Sequence, residues 1–248
     1  PIVQSRRRHM AHQEVDQTGA HDALPRYYRQ NFHYQTDGYL SRRSARLYDH
    51  QVEVLFSGAA QAMRRQALPP LSEYFAATGN DAPRIADIGC GTGPMLQALA
   101  ENWPRATLTG IDLSAAYLQE ARRRLGRDPA LLCAPAEAMP LPDESQDAVV
   151  SVFMFHELPD KIRKAVLREV YRVLKPGGRF VLVDSIQRGD RPAYDGLIAY
   201  FPVAYHEPYY EQYSRTDLFS LLETAALRPY AQERAFMSKV ISAERPAA

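Results

Sequence analysis

Between Arg84 and Asp184 short apolar runs and amphipathic stretches alternate without interruption. That rhythm leaves few folds open. Ile85–Ile88, Thr107–Ile111, Leu131–Ala134, Ala148–Phe153 and the run "RFVLVDS" read as strands buried on both faces. Pro94–Asn102, Ser114–Leu125 and Lys161–Leu174 read as helices between them, the second capped by Ser114 and the third stopped by "KPGG". Strand–helix alternation of this kind implies an α/β fold with a mainly parallel sheet and helices on both faces. The rhythm breaks after Asp184. A helix capped by Thr216 is expected over Thr216–Ala226, and two strands around "FMSK" between Leu227 and Glu244 read as an antiparallel hairpin.

The flanks set the organisation. Residues 1–24 are polar and aperiodic and read as a flexible tail, in which Pro1–His9 has the look of a vector-derived leader before Met10, a native basic arm being the alternative. Residues 25–80 are rich in Tyr and Arg with helical spacing at Val52, Leu55, Phe56 and Ala59, and a proline-started helix follows over Leu71–Thr78. They read as a helical lid on a core of residues 81–248, with 186–215 inserted as a substrate cap. A formal charge of +1 on 248 residues gives no field to recruit nucleic acid or an acidic membrane surface. No run approaches the roughly 18 apolar residues of a membrane span. Two cysteines are too few for a disulfide framework and suit a reducing cytoplasm.

The first strand ends in "RIADIGCGTGPMLQAL". A dinucleotide fingerprint begun at Gly89 needs glycine where Pro94 stands, and a phosphate-binding P-loop needs a Gly-Lys-Ser/Thr that is absent. Instead Asp87 precedes the glycines. A carboxylate there repels phosphate and welcomes an ammonium or sulfonium. Asp112 ends the next strand, where an acid in doubly wound folds accepts both ribose hydroxyls, and Leu113 beside it can pack on a base.

"ADIGCGTGP", "GIDLS", "DAVVSVFMFHEL" and "LREVYRVLKPGGRFVLVD" resemble, in order, the motifs of class I S-adenosylmethionine-dependent methyltransferases. The resemblance implies a Rossmann-like seven-stranded sheet and S-adenosylmethionine as cofactor. It places Asp87 and the loop Gly89, Cys90, Gly91 and Gly93 at the methionine end, Asp112 on the ribose, and Leu113, Ala136 and Glu137 at the adenine. Val152 and Phe153 would lie beneath the ligand. More narrowly, "NFHYQTDGYLSRRSARLYDHQVEVLF" and "FPVAYHEPYY" resemble the methyltransferase domain that ends ovothiol synthases and their stand-alone relatives. That resemblance implies N-methylation of a 5-thiohistidine or 5-selenohistidine ring.

An acceptor should sit at the carboxyl ends of the strands. His156 and Glu157 follow the fourth strand, so His156 can orient or deprotonate an acceptor, and Glu157 can bind an amine or hold an imidazole tautomer; either can instead be a loop residue capping the next helix. Asn31, Tyr34, Gln35, Asp37 and Tyr39 before the core, and Tyr205, His206, Glu207 and Tyr209 after it, offer polar handles in aromatic walls that suit a small polar molecule. Each tyrosine can instead pack the lid. His206 and Glu207 are a possible metal pair, but no third ligand has useful spacing, so no metal is expected. A quinone or other natural product as acceptor, and a non-catalytic S-adenosylmethionine-binding module, are the alternatives.

Overall fold

The computed structural model describes residues 24–33, 38–125 and 129–247. Ahead of the sheet come helices α1 (Arg42–Leu55), α2 (Ala60–Arg64) and α3 (Leu68–Thr78). Ser41 caps α1 by accepting the Ser44 N–H at 3.0 Å. Prolines occupy the first turn of α3, where no intrahelical donor is needed, and Gly79 ends it in the left-handed region.

The core then runs β1 (Arg84–Ile88), α4 (Pro94–Asn102), β2 (Thr107–Asp112), α5 (Ala115–Arg124), β3 (Ala130–Cys133), β4 (Gln146–Val152), α6 (Asp160–Val173) and β5 (Leu174–Ser185). The cap holds α7 (Asp195–Tyr205) and α8 (Tyr210–Tyr213), and α9 (Leu218–Glu223), β6 (Arg228–Ala235) and β7 (Ser238–Glu244) complete the chain. The seven strands lie in the order β3-β2-β1-β4-β5-β7-β6. β1 to β5 pair in parallel, and the β6–β7 hairpin joins β5 antiparallel. The order reverses between β1 and β4, the switch point at which doubly wound sheets bind ligands.

Side-chain alternation fills both faces. Ala86, Ile88, Val149, Phe180 and Leu182 enter one apolar cluster, while Ile85, Ala148, Val150, Val181 and Val183 enter the other. At Gly110 of β2 a Cβ would come within 2.6 Å of Leu96 and 2.9 Å of the Cys90 sulfur, so glycine lets α4 close on the strand beside the site.

Two local expectations are corrected. Asp217, rather than Thr216, caps the short helix α9: its carboxylate accepts the Phe219 and Ser220 N–H groups. Thr216 instead takes a hydrogen bond from Arg163. "KPGG" does not cap α6, which ends at Val173, because Leu174 is already extended and 175–178 run into β5. The buried face of α6 includes Arg163, fully covered beneath the Tyr213 ring and donating to the Leu158 carbonyl at 2.8 Å. The tail expected over 1–24 lies outside the described residues save for Leu24.

The segment before α1 packs as its own cluster of Phe32, Tyr39, Ala45 and Tyr117 across the carboxyl edge of the sheet. Ser114 donates to the Tyr39 carbonyl at 2.9 Å, Ser44 and Tyr117 share a 2.8 Å hydrogen bond, and Thr92 donates to Asp49. Arg124 closes an ion pair with the same Asp49.

Candidate active site

The glycine loop and the ends of β1, β2 and β4 line a cleft. Gly89 turns the chain with φ 70°, and a Cβ there would meet the Met154 sulfur at 2.7 Å, so both conformation and space exclude a side chain. Asp112 accepts the Gly91 N–H at 2.9 Å on one oxygen and the Ser114 N–H at 2.8 Å on the other. Each oxygen keeps acceptor capacity, which suits a vicinal diol. Burial raises its pKa to about 6, held there by those two N–H groups. It is therefore mainly charged at neutral pH.

Asp87 is 1% exposed, and its Oδ2 has no hydrogen-bond partner among the described residues. Burial, and then the charge of Asp112, push it up to about 8, against the pull of Arg64. The Arg64 guanidinium lines the same cleft, almost fully buried, with one Nη also unpartnered. An orphaned carboxylate and an orphaned guanidinium together match the ammonium and carboxylate of an α-amino acid. These residues therefore fit S-adenosylmethionine: Asp87 and Arg64 at its methionine end, Asp112 at its ribose. An ammonium favours ionised Asp87, so binding should release a proton. Affinity should rise about tenfold between pH 6 and 7 and level off near pH 8, where the ligand's own ammonium begins to titrate. Equilibrium titration across that range checks it, and a flat profile would remove Asp87 from the ammonium.

Leu113, Ala136 and Glu137 also line the cleft. Tyr27 reaches over from the N-terminal segment and donates to Glu137 at 2.7 Å. Cys90, Val152 and Phe153 also line the cleft, whereas Gly93 stands behind it as the N-cap of α4, against Ala121.

A second cavity shares Tyr48, Phe153 and Glu157 with the first. Phe153, at φ 56°, turns its ring against Phe56 in a stack at 5.9 Å. Val52, Leu55, Leu197 and Ile198 add apolar wall, and His33, His156 and Glu157 form the polar side. His156 and Glu157 lie in one 3-10 turn, Phe155–Glu157. The imidazole of His156 is held by Asp184, not Glu157: Nδ1 lies 2.6 Å from Asp184 Oδ1, while Glu157 is 3.8 Å from Nε2. Asp184 is fully buried and also accepts the Phe155 and Ser185 N–H groups, so both its oxygens are engaged by donors. Burial alone would lower the pKa of His156, but the Asp184 carboxylate raises it to about 9.

The remaining residues singled out in the sequence separate. Tyr39 lines the cofactor cleft and donates to Glu157 at 2.5 Å. Glu207 is buried beside His33. Asn31 and His206 are buried, but neither lines either cavity. Tyr209 packs on Phe32 at 6.3 Å, and Tyr205 is 38% exposed against Phe201. Tyr34, Gln35 and Asp37 lie outside the described residues. Asp184, Arg64, Tyr27 and Phe56 were not read from the sequence. Asp184 carried the same signal as Asp87 and Asp112, an acid ending an apolar strand.

Residues 85–178 match the family model of the methyltransferase domain. That match runs from β1 into β5, the part of the sheet that carries the glycine loop and the cleft at the switch point. Among curated proteins, the chain is 32% identical over 157 residues to the ubiquinone/menaquinone biosynthesis C-methyltransferase of Desulfotalea psychrophila, covering 62% of this chain and 60% of that one. It is 37% identical over 141 residues to the demethylmenaquinone methyltransferase of Thermus thermophilus, covering 55% and 60%. The chain thus spans about 60% of the length of these relatives. In fold it resembles human N-acetylserotonin methyltransferase solved with S-adenosylmethionine, with TM-score 0.65, 15% identity, and coverage of 99% of this chain and 67% of that one.

Proposed function

We propose that this chain transfers the methyl group of S-adenosylmethionine to a ring nitrogen of a small histidine-derived thiol or selenol, a 5-thiohistidine or 5-selenohistidine. The carrying observation is the second cavity. It adjoins the cofactor cleft, with which it shares Tyr48, Phe153 and Glu157, and its lining combines charged groups with aromatic walls. The cofactor supplies an electrophilic methyl carbon on a positive sulfur. Attack by a nitrogen lone pair needs no base when the imidazole is neutral, so the residues chiefly orient and exclude water. Phe56 and Phe153 provide flat apolar surface for a ring. Glu157 accepts a hydrogen bond from the ring nitrogen that does not react. His156, charged through Asp184, holds the anionic sulfur or selenium away from the methyl group. The narrower resemblance of both flanks to ovothiol-type methyltransferase domains supports the same acceptor.

A quinol acceptor is the second reading, favoured by the apolar walls Val52, Leu55 and Ile198 and by the names of the two relatives. A panel separates them. With methyl-labelled cofactor, purified protein should label 5-thiohistidine or 5-selenohistidine at nitrogen. Labelling of a demethylmenaquinol or a catechol alone would overturn the histidine reading. No labelling of any acceptor despite cofactor binding would favour a non-catalytic module.

A further inference from the structure

The sequence offered His206 and Glu207 as a metal pair without a third ligand. The fold supplies a different set. His33 precedes the undescribed break in the N-terminal segment, Glu157 follows β4, and Glu207 follows α7, and one donor atom of each lies within 4.8 Å of the others. His33 Nδ1 is 3.0 Å from Glu207 Oε1, and Nε2 is 3.6 Å from Glu157 Oε1. Tyr39 bonds both His33, at 2.8 Å, and Glu157.

We infer that His33, Glu157 and Glu207 form a divalent-cation site that ties the N-terminal segment to the wall of the second cavity. The independent sign of a ligand is Glu207. Its side chain is fully covered, and neither carboxylate oxygen has a hydrogen-bond partner among the described residues. The approach of His33 is an ion pair that lacks the directed geometry of a hydrogen bond. A buried carboxylate left so is costly unless a cation reaches it. Charge points the same way. The His156 imidazolium, 3.8 Å from Glu157, is already paired with Asp184, so Glu157 and Glu207 share the single charge of His33, whereas a divalent ion with a neutral imidazole and two carboxylates balances to zero.

One nitrogen and two oxygens suit zinc rather than magnesium or calcium, which prefer all-oxygen shells. Ligand bonds of about 2.0–2.2 Å require the three donors to contract by about 1 Å. Tyr39 provides the outer hydrogen bond that fixes ring and carboxylate around such an ion. His33 and Glu157 also line the second cavity, so a three-ligand ion would keep an open position bordering it. The site makes no use of the methyl-transfer assignment.

The test is zinc titration of the full chain after dialysis against a chelator, with bound zinc measured by elemental analysis and stability by thermal melting. The wild type should take up one equivalent and gain about 4 °C or more at saturating zinc. His33→Asn and Glu207→Gln should each weaken that binding at least tenfold, and Glu207→Asp should restore part of it. Zinc-free Glu207→Gln should melt no lower than zinc-free wild type, since the uncompensated charge is gone, so that variant reports on the site without a folding defect. Failure of the wild type to bind zinc, or undiminished binding in both His33→Asn and Glu207→Gln, would overturn the inference.

Discussion

Asp112→Ala will weaken the binding of S-adenosylmethionine at least tenfold. The substitution removes the two oxygens that can accept the ribose hydroxyls, and hydrogen bonds to a charged group contribute roughly 1.5–3 kcal/mol each. It also strips the Gly91 and Ser114 N–H groups of their acceptor, so the glycine loop loses the tie that shapes it against β2. Asp112→Asn keeps one oxygen and should fall between the two. Titration calorimetry with a melting control reads the effect, and wild-type affinity in Asp112→Ala would take this residue away from the ribose.

His156→Ala should lower turnover by about 10²–10⁴-fold, the range for a positioned proton-bearing group, while cofactor affinity changes less than about twofold. The residue lines the second cavity and leaves the cofactor cleft untouched. Its charge state gives a second readout. With its pKa raised by Asp184 to about 9, His156 is an imidazolium through the neutral range. As an anchor for a thiolate or selenolate it should sustain turnover up to about pH 9 and lose it above. As a general base it would do the reverse. Asp184→Asn, which keeps the shape but removes the charge, should move that upper limb to lower pH. Wild-type turnover in His156→Ala would leave the residue a packing role beside Tyr210 and Tyr213.

The parallel core was legible because its central strands are apolar runs that both faces bury, as Val181 to Val183 are, whereas the edge strand β3 is half-exposed. Asp87 and Asp112 stood out as acids near the ends of apolar strands, a signal that Asp184 shares. Helix ends were less so. Thr216 and Asp217 are adjacent and both able to cap, and only the three-dimensional path shows Thr216 turned toward Arg163. Arg163 itself defeats polarity patterning: a guanidinium enters the apolar face of α6 because a carbonyl, a hydroxyl and a tyrosine ring receive it. Arg64, the last residue of α2, gives no local hint that it lines the same cleft as Asp87. The meeting of His33, Glu157 and Glu207 depends on three segments far apart in sequence docking over one cavity, and no spacing rule reports that.

The most direct measurement is calorimetric titration of S-adenosylmethionine into the purified chain at pH 7 in buffers of different ionisation enthalpy. The cleft of Asp87, Arg64 and Asp112 predicts one site per chain, saturable, with net proton release as Asp87 ionises. No saturable binding, or binding unchanged when Asp112 is removed, would contradict the assignment of this cleft.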